Sequence, residues 1–224
     1  MAVLFFGWDG MVGLNPKILP KRMPYIERGL MFAIHGIISH QTNTATGQQV
    51  FGSYSNKNAG GPGKPPNGAH FLIDEDASIY QTASILFCTN HVGPILPRCL
   101  SKYRAAGNGC SAQDLAAYKT MNKTQQSYWE KAKPLGQHFP SNDDSIGIEV
   151  VGLPHPYMPN PKEWEYESPS QPQLKALDWL VTQLLDTFRA YGHNFIEIFA
   201  HSEIAAKSRR EGIDGADMLR AKGR

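Results

Sequence analysis

Cysteine is scarce in this 224-residue chain, which has only three, Cys88, Cys99 and Cys110. An odd count excludes a fully paired disulfide framework. Cys99 and Cys110 flank a short polar loop and can pair in an oxidising compartment; three reduced thiols are the alternative. Net charge is scarce too. The 22 basic and 20 acidic side chains leave a formal charge of +2, too near balance for a nucleic-acid-binding face. No stretch is long and apolar enough to span a bilayer, so membrane insertion is not expected. The apolar run Ala2-Val3-Leu4-Phe5-Phe6-Gly7 has no basic segment before it and meets Asp9 almost at once, so it does not read as a secretory signal. His70 and His91 make no zinc-finger spacing with any cysteine, which disfavours a structural zinc module. Internal repeats are absent.

What is present is ordinary globular material: 41% hydrophobic and 19% charged residues, enough chain for one domain with a large insertion. Residues 1–30, punctuated by Gly10, Gly13, Pro16, Pro20 and Pro24, read as an irregular N-terminal arm, and 31–224 as the domain proper. Met31 to His40 is an apolar run short enough for a buried strand. Val50, Phe51 and Tyr54 keep helical spacing behind Thr44 or Thr46 as N-cap. Residues 69–73 and 78–82 around Asp74-Glu75-Asp76 predict a hairpin. Pro94 to Pro140 reads as a polar insertion over the surface, with one amphipathic helix over Ala112 to Lys131. Ser145 to Val151 is a buried strand; Leu174, Leu177, Leu180, Val181, Leu184, Leu185 and Phe188 mark an amphipathic helix that Gly192 ends before a strand from Phe195. The fold class is α/β, a sheet covered by helices.

Four polar groups interrupt these apolar segments. His40 and His201 come where strands run out, Glu149 sits inside Ile-Gly-Ile-Glu-Val-Val, and Glu211 follows His201 by ten residues. Two imidazoles and a carboxylate suit a zinc ion with one coordination position left open. Glu149, on another strand, suits a base for the water held there. Alternation puts Ile146, Ile148 and Val150 on the face opposite Glu149, and a carboxylate so placed must face a cleft or find a partner. His35 competes with His40, but lies on the opposite face of the same run.

The segments Ile38-Ser-His-Gln-Thr42, Gly68-Ala-His-Phe-Leu-Ile-Asp74, Ile79-Tyr-Gln-Thr-Ala83, Asn90-His-Val-Gly93, Ser145-Ile-Gly-Ile-Glu149 and His201-Ser-Glu-Ile-Ala205 occur in that order. The set resembles the type 2 N-acetylmuramoyl-L-alanine amidases, which are related to peptidoglycan recognition proteins, from about Ile34 to Gly212. That resemblance implies a central mixed sheet flanked by helices, with the insertion at about 94–140. It implies Zn2+ as cofactor, held by His40, His201 and Glu211, with Asp214 close by as the other third ligand. It implies Glu149 as catalytic carboxylate, Lys207 or Arg209 as the cation for the oxyanion, and His91, with His70 and Thr42, beside the substrate. Where some relatives carry a tyrosine before the hairpin phenylalanine, this chain has Ala69, which favours a glutamate-based mechanism.

The expected activity is hydrolysis of the muramoyl–L-alanine amide of peptidoglycan. The settings weighed are a lytic toxin delivered by a dedicated secretion machine such as type VI, with an immunity protein as partner, and a cytoplasmic cell-wall recycler. A peptidoglycan-binding module without catalysis is the reading from another class, kept open by a glutamate where relatives carry aspartate or cysteine.

Overall fold

A six-stranded mixed sheet carries the molecule, as seen in a computed structural model that describes residues 3–102, 109–154, 165–206 and 210–224. Its strands are β1 (Ile18–Pro20), β3 (Gly36–Gln41), β4 (Phe71–Ile73), β5 (Ile79–Gln81), β7 (Ser145–Val150) and β8 (Glu197–Ala200), in the order β1-β5-β4-β7-β3-β8. The neighbours β4, β7, β3 and β8 run parallel, and β5 turns back against β4 as the expected hairpin. A separate two-stranded ribbon pairs β2 (Glu27–Leu30) with β6 (Phe87–Thr89).

Strand alternation sorts the side chains onto two faces. Ile37, Ile146, Ile148, Val150 and Ile198 face α4 (Gln171–Ala190) and α6 (Ile213–Ala221), joined by Leu4 and Ile18 of the arm. Helix α4 begins where Ser170 and Gln173 form a reciprocal cap, and it buries Leu177, Leu180, Val181, Leu184, Leu185 and Phe188 along one stripe. On the other face, Leu72 and Val151 meet α1 (Gly47–Ser55), while Ile38 and Phe199 meet Ile95, Phe139 and Ile204. Thr46 caps α1, one of the two expected positions.

Two expectations are corrected. The first thirty residues are not irregular throughout: β1 adds an edge to the central sheet and β2 founds the ribbon. The segment 112–131 is not one helix but two, α2 (Ala112–Thr120) and α3 (Lys123–Lys131). Asn122 breaks it, because its side chain accepts the Gln125 N–H while Gln125 reaches back, a cap more favourable than continued helix. Cys99 and Cys110 are joined, and Cys88 is a buried free thiol. Among the described residues no helix is long and apolar enough to cross a membrane.

Candidate metal centre

Register brings the site together. His40 stands opposite Glu149 across β3 and β7, and parallel pairing puts both on the face turned away from α4. Ser39 pairs with Ala200, so His201, opening the short α5 (His201–Ile204) straight after β8, lands beside His40 with ring centroids 4.4 Å apart. All three lie at the carboxyl ends of parallel strands, where open sheets gather ligands.

Glu211 returns from the other direction. Gly212 has φ +77°, and a Cβ there would meet the Ser39 carbonyl oxygen at 2.0 Å. Only glycine lets this backbone lie on β3 and start α6 at once. Ser202 tightens the return, its hydroxyl donating to the Glu211 carbonyl at 3.0 Å. The Glu211 carboxylate then reaches 2.7 Å from His201 Nδ1 and 3.6 Å from His40 Nδ1, with the two nitrogens 2.9 Å apart. Asp214 is elsewhere: it pairs with Arg210 at 2.6 Å and accepts from Ser168.

The donor set fits a zinc ion. Bonds of about 2.0–2.2 Å in a tetrahedron place neighbouring donors roughly 3.3–3.6 Å apart; one separation, 3.6 Å, reaches that range and two, 2.7 and 2.9 Å, fall just short of it. All three residues are buried, and they are a group of ligand types whose donor atoms converge. His201 Nε2 is buried without a hydrogen-bond partner among the described residues, so the ring is held through the nitrogen that faces the carboxylate. Burial opposes the charge on Glu211, but its contacts with His201 and His40 outweigh it and hold its pKa below the usual carboxylate range.

A hydrogen-bond chain fixes the tautomer of His40. Ser145 donates its hydroxyl to the Ser141 carbonyl, so both Ser145 oxygens can only accept from His91 Nε2, each at 3.2 Å. His91 therefore carries its proton on Nε2 and accepts at Nδ1 from His40 Nε2–H, at 3.0 Å. That leaves the His40 Nδ1 lone pair aimed at the cluster. Burial, then the imidazoles of His40, His70 and His201, keep His91 well below its ordinary pKa, hence neutral. Gly147 makes room for this ring, since a Cβ there would lie 2.7 Å from it.

These groups floor a cleft of about 420 Å³. Tyr54, Asn67, Gly68, Asn90 and Asn142 line it as well, together with Thr124, Ser127, Tyr128 and Lys131 of α3. The Tyr54 hydroxyl accepts the Ala69 N–H at 3.1 Å. Its pKa is pushed up by burial and then by the Glu149 charge, so it stays a neutral phenol.

Two residues expected beside the substrate are buried and are not among the cleft lining. His70 is fully buried, donating from Nε2 to Phe87 O at 2.9 Å and accepting the Gly147 N–H at Nδ1 at 3.1 Å. It ties β6, β4 and β7 together and does not line the cleft. Thr42 is buried past the end of β3, accepting from Gly152 N at 3.1 Å. His91 does line the cleft, but as the partner of His40. Lys207 and Arg209 lie outside the described residues. The lining by Tyr54, Asn67, Asn142 and α3 was not expected, because no motif surrounds those residues.

A sequence model described as N-acetylmuramoyl-L-alanine amidase matches residues 31–212. Among solved structures the chain is similar to the endolysin N-acetylmuramoyl-L-alanine amidase LysCS from Clostridium intestinale, at 18% identity and TM-score 0.46 over 84% of this chain and 83% of that one. It is also similar to the amidase LysC of the same organism, at 16% identity and TM-score 0.48 over 93% and 97% of the two chains. A third is the Ph2119 endolysin from a Thermus scotoductus bacteriophage, at 15% identity and TM-score 0.43 over 91% and 99%. None of the curated protein sequences matches.

Proposed function

The chain belongs to the N-acetylmuramoyl-L-alanine amidase family, and from that premise we propose that it is a zinc-dependent hydrolase of peptidoglycan. It cuts the amide between the lactyl group of N-acetylmuramic acid and the L-alanine of the stem peptide. The observation that supports the zinc reading is the convergence of His40, His201 and Glu211 at the floor of a cleft that Glu149 also lines.

His40, His201 and Glu211 would hold the ion. When bound, zinc supplies Lewis acidity, polarising the scissile carbonyl and making a water easier to deprotonate at neutral pH. Glu149 removes a proton from the attacking water as its oxygen bonds to the carbonyl carbon. The same carboxyl delivers that proton to the L-alanine nitrogen as the C–N bond breaks, leaving a lactyl carboxylate and a free amine. Tyr54, kept protonated beside Glu149, holds that side of the cleft in place. Lys207 or Arg209, in the segment between His201 and Glu211, is the cation assigned to the oxyanion.

The Cys99–Cys110 disulfide favours action outside a reducing cytoplasm, and hence a delivered or secreted enzyme over a cytoplasmic recycler. Neither a type VI machine nor an immunity partner is supported by any feature of the chain.

Incubating the protein with purified sacculi and counting new amino ends tests the reading. Release is expected, abolished by a strong chelator and restored by zinc. Glu149→Gln is expected to bind zinc one-to-one yet lose about 10²- to 10⁴-fold in kcat. Sacculi bound without any release of amines by the zinc-loaded wild type would establish a recognition module instead.

A further inference from the structure

Helix α3 of the insertion contributes four residues to the lining of the cleft, and the hydrolytic machinery uses none of them. The helix is seated firmly. Glu130 is fully buried, accepting the Arg98 N–H at 2.9 Å together with the Tyr118 hydroxyl and the Lys133 ammonium. Ser127 Oγ accepts the Ile95 N–H at 3.0 Å. Arg98 in turn grips Glu197, beside β3 on the central sheet, with two hydrogen bonds of 2.6 Å. With that face of α3 anchored, Thr124, Tyr128 and Lys131, spaced i, i+4 and i+7, form a stripe along the cleft.

Tyr128 is the unusual member, a cleft-lining aromatic that is 68% exposed. A ring left in water at the rim of a polar cleft is a ready apolar platform. The Lys131 ammonium lies 5.6 Å from the ring centroid and 2.6 Å from Asp143 Oδ2. Its charge is paired with that carboxylate, and the surface beside the pair is one flat ring bordered by hydroxyl and amide groups. Peptidoglycan presents two chemistries to such a surface. The stem peptide carries carboxylates, which ask for a cation. The glycan carries N-acetylated pyranoses, each with a flat patch of C–H bonds edged by hydroxyl and acetamido groups.

We propose that the α3 wall is a glycan subsite, in which Tyr128 stacks on a pyranose while Thr124 and Asn142 serve its polar edge. This rests on the amidase reading for the identity of the polymer. It assigns the insertion a task, to hold the sugar strand while the stem peptide leaves.

The two products of the reaction are suitable probes, since neither is turned over. Wild-type protein, Tyr128→Ala and Tyr128→Phe are titrated calorimetrically with a peptide-free tetrasaccharide of the glycan and with the free stem peptide. Tyr128→Ala is expected to weaken tetrasaccharide binding roughly fivefold and leave peptide binding unchanged. Tyr128→Phe, which keeps the ring, is expected to bind both as wild type does. Equal tetrasaccharide affinity in wild type and Tyr128→Ala, no tetrasaccharide binding at all, or a loss confined to the peptide would each overturn the subsite. Because Tyr128 is exposed, its removal leaves the fold intact, and an unchanged melting temperature checks this. The amidase reading stands or falls separately on amine release by wild type: sugar binding that depends on Tyr128 without any such release would keep the subsite and remove the enzyme.

Discussion

His40 has two ring nitrogens, and its neighbours decide which of them is free. The Ser145 oxygens force the proton of His91 onto Nε2, and His91 forces that of His40 onto its own Nε2. Outer partners of this kind are worth 10- to 100-fold in metal affinity. His91→Phe, which keeps the ring volume but cannot accept a hydrogen bond, is therefore expected to bind zinc about 10- to 100-fold more weakly, read by competition against a chromophoric chelator. An unchanged affinity would show that His40 needs no such orientation. His40, Glu149, His201 and Glu211 were legible in the sequence because each breaks an apolar run or follows one at a fixed distance. The purpose of His70 and His91 was not. Both sit in equally suggestive motifs, and only the direction of each ring tells a strand tie from the partner of His40. Tyr128 was invisible for the opposite reason, since an exposed tyrosine on a polar helix resembles any surface residue.

At the scale of elements, periodicity gave β3, β7, α1, α4 and the β4–β5 hairpin, because each buries one face or both. It missed β1 and β2, whose prolines and glycines look like loop until a neighbouring strand satisfies their backbone. It merged α2 and α3, because one apolar pattern carries across the Asn122 cap. The insertion coheres by unusual means: α2 buries no residue, and α2, α3 and the preceding turn are held by Asp114, Tyr118, Trp129, Glu130 and Lys133. The Cys99–Cys110 link joins two positions 11 apart in sequence ahead of α2, a constraint worth about 3 kcal/mol. Replacing both cysteines by serine is expected to speed hydrogen exchange across α2 and α3 while leaving the strands of the central sheet protected. Uniform loss of protection would mean that the insertion and the sheet unfold as one unit.

Over the whole molecule, acid acts through the buried ties between strands. Burial pushes the His70 pKa down to about 4 from an ordinary 6.5, a hydrogen bond to Phe87 only partly opposing it. Between those values the unfolded chain binds a proton that the folded chain refuses. The stability tied to His70 is thus complete above about pH 6.5 and is lost as pH falls toward 4, by roughly 3 kcal/mol. Melting temperature is expected to drop between pH 7 and pH 4.5, and to drop less in His70→Gln, whose side chain takes no proton. Equal slopes for the two proteins would place the acid sensitivity elsewhere.

The α2–α3 pair packs on itself through polar and charged side chains, while Ile95 and Phe139 at the two ends of the insertion join the apolar cluster against β3 and β8. The four residues that α3 presents to the cleft can therefore vary without a change in the strands that hold His40 and Glu149.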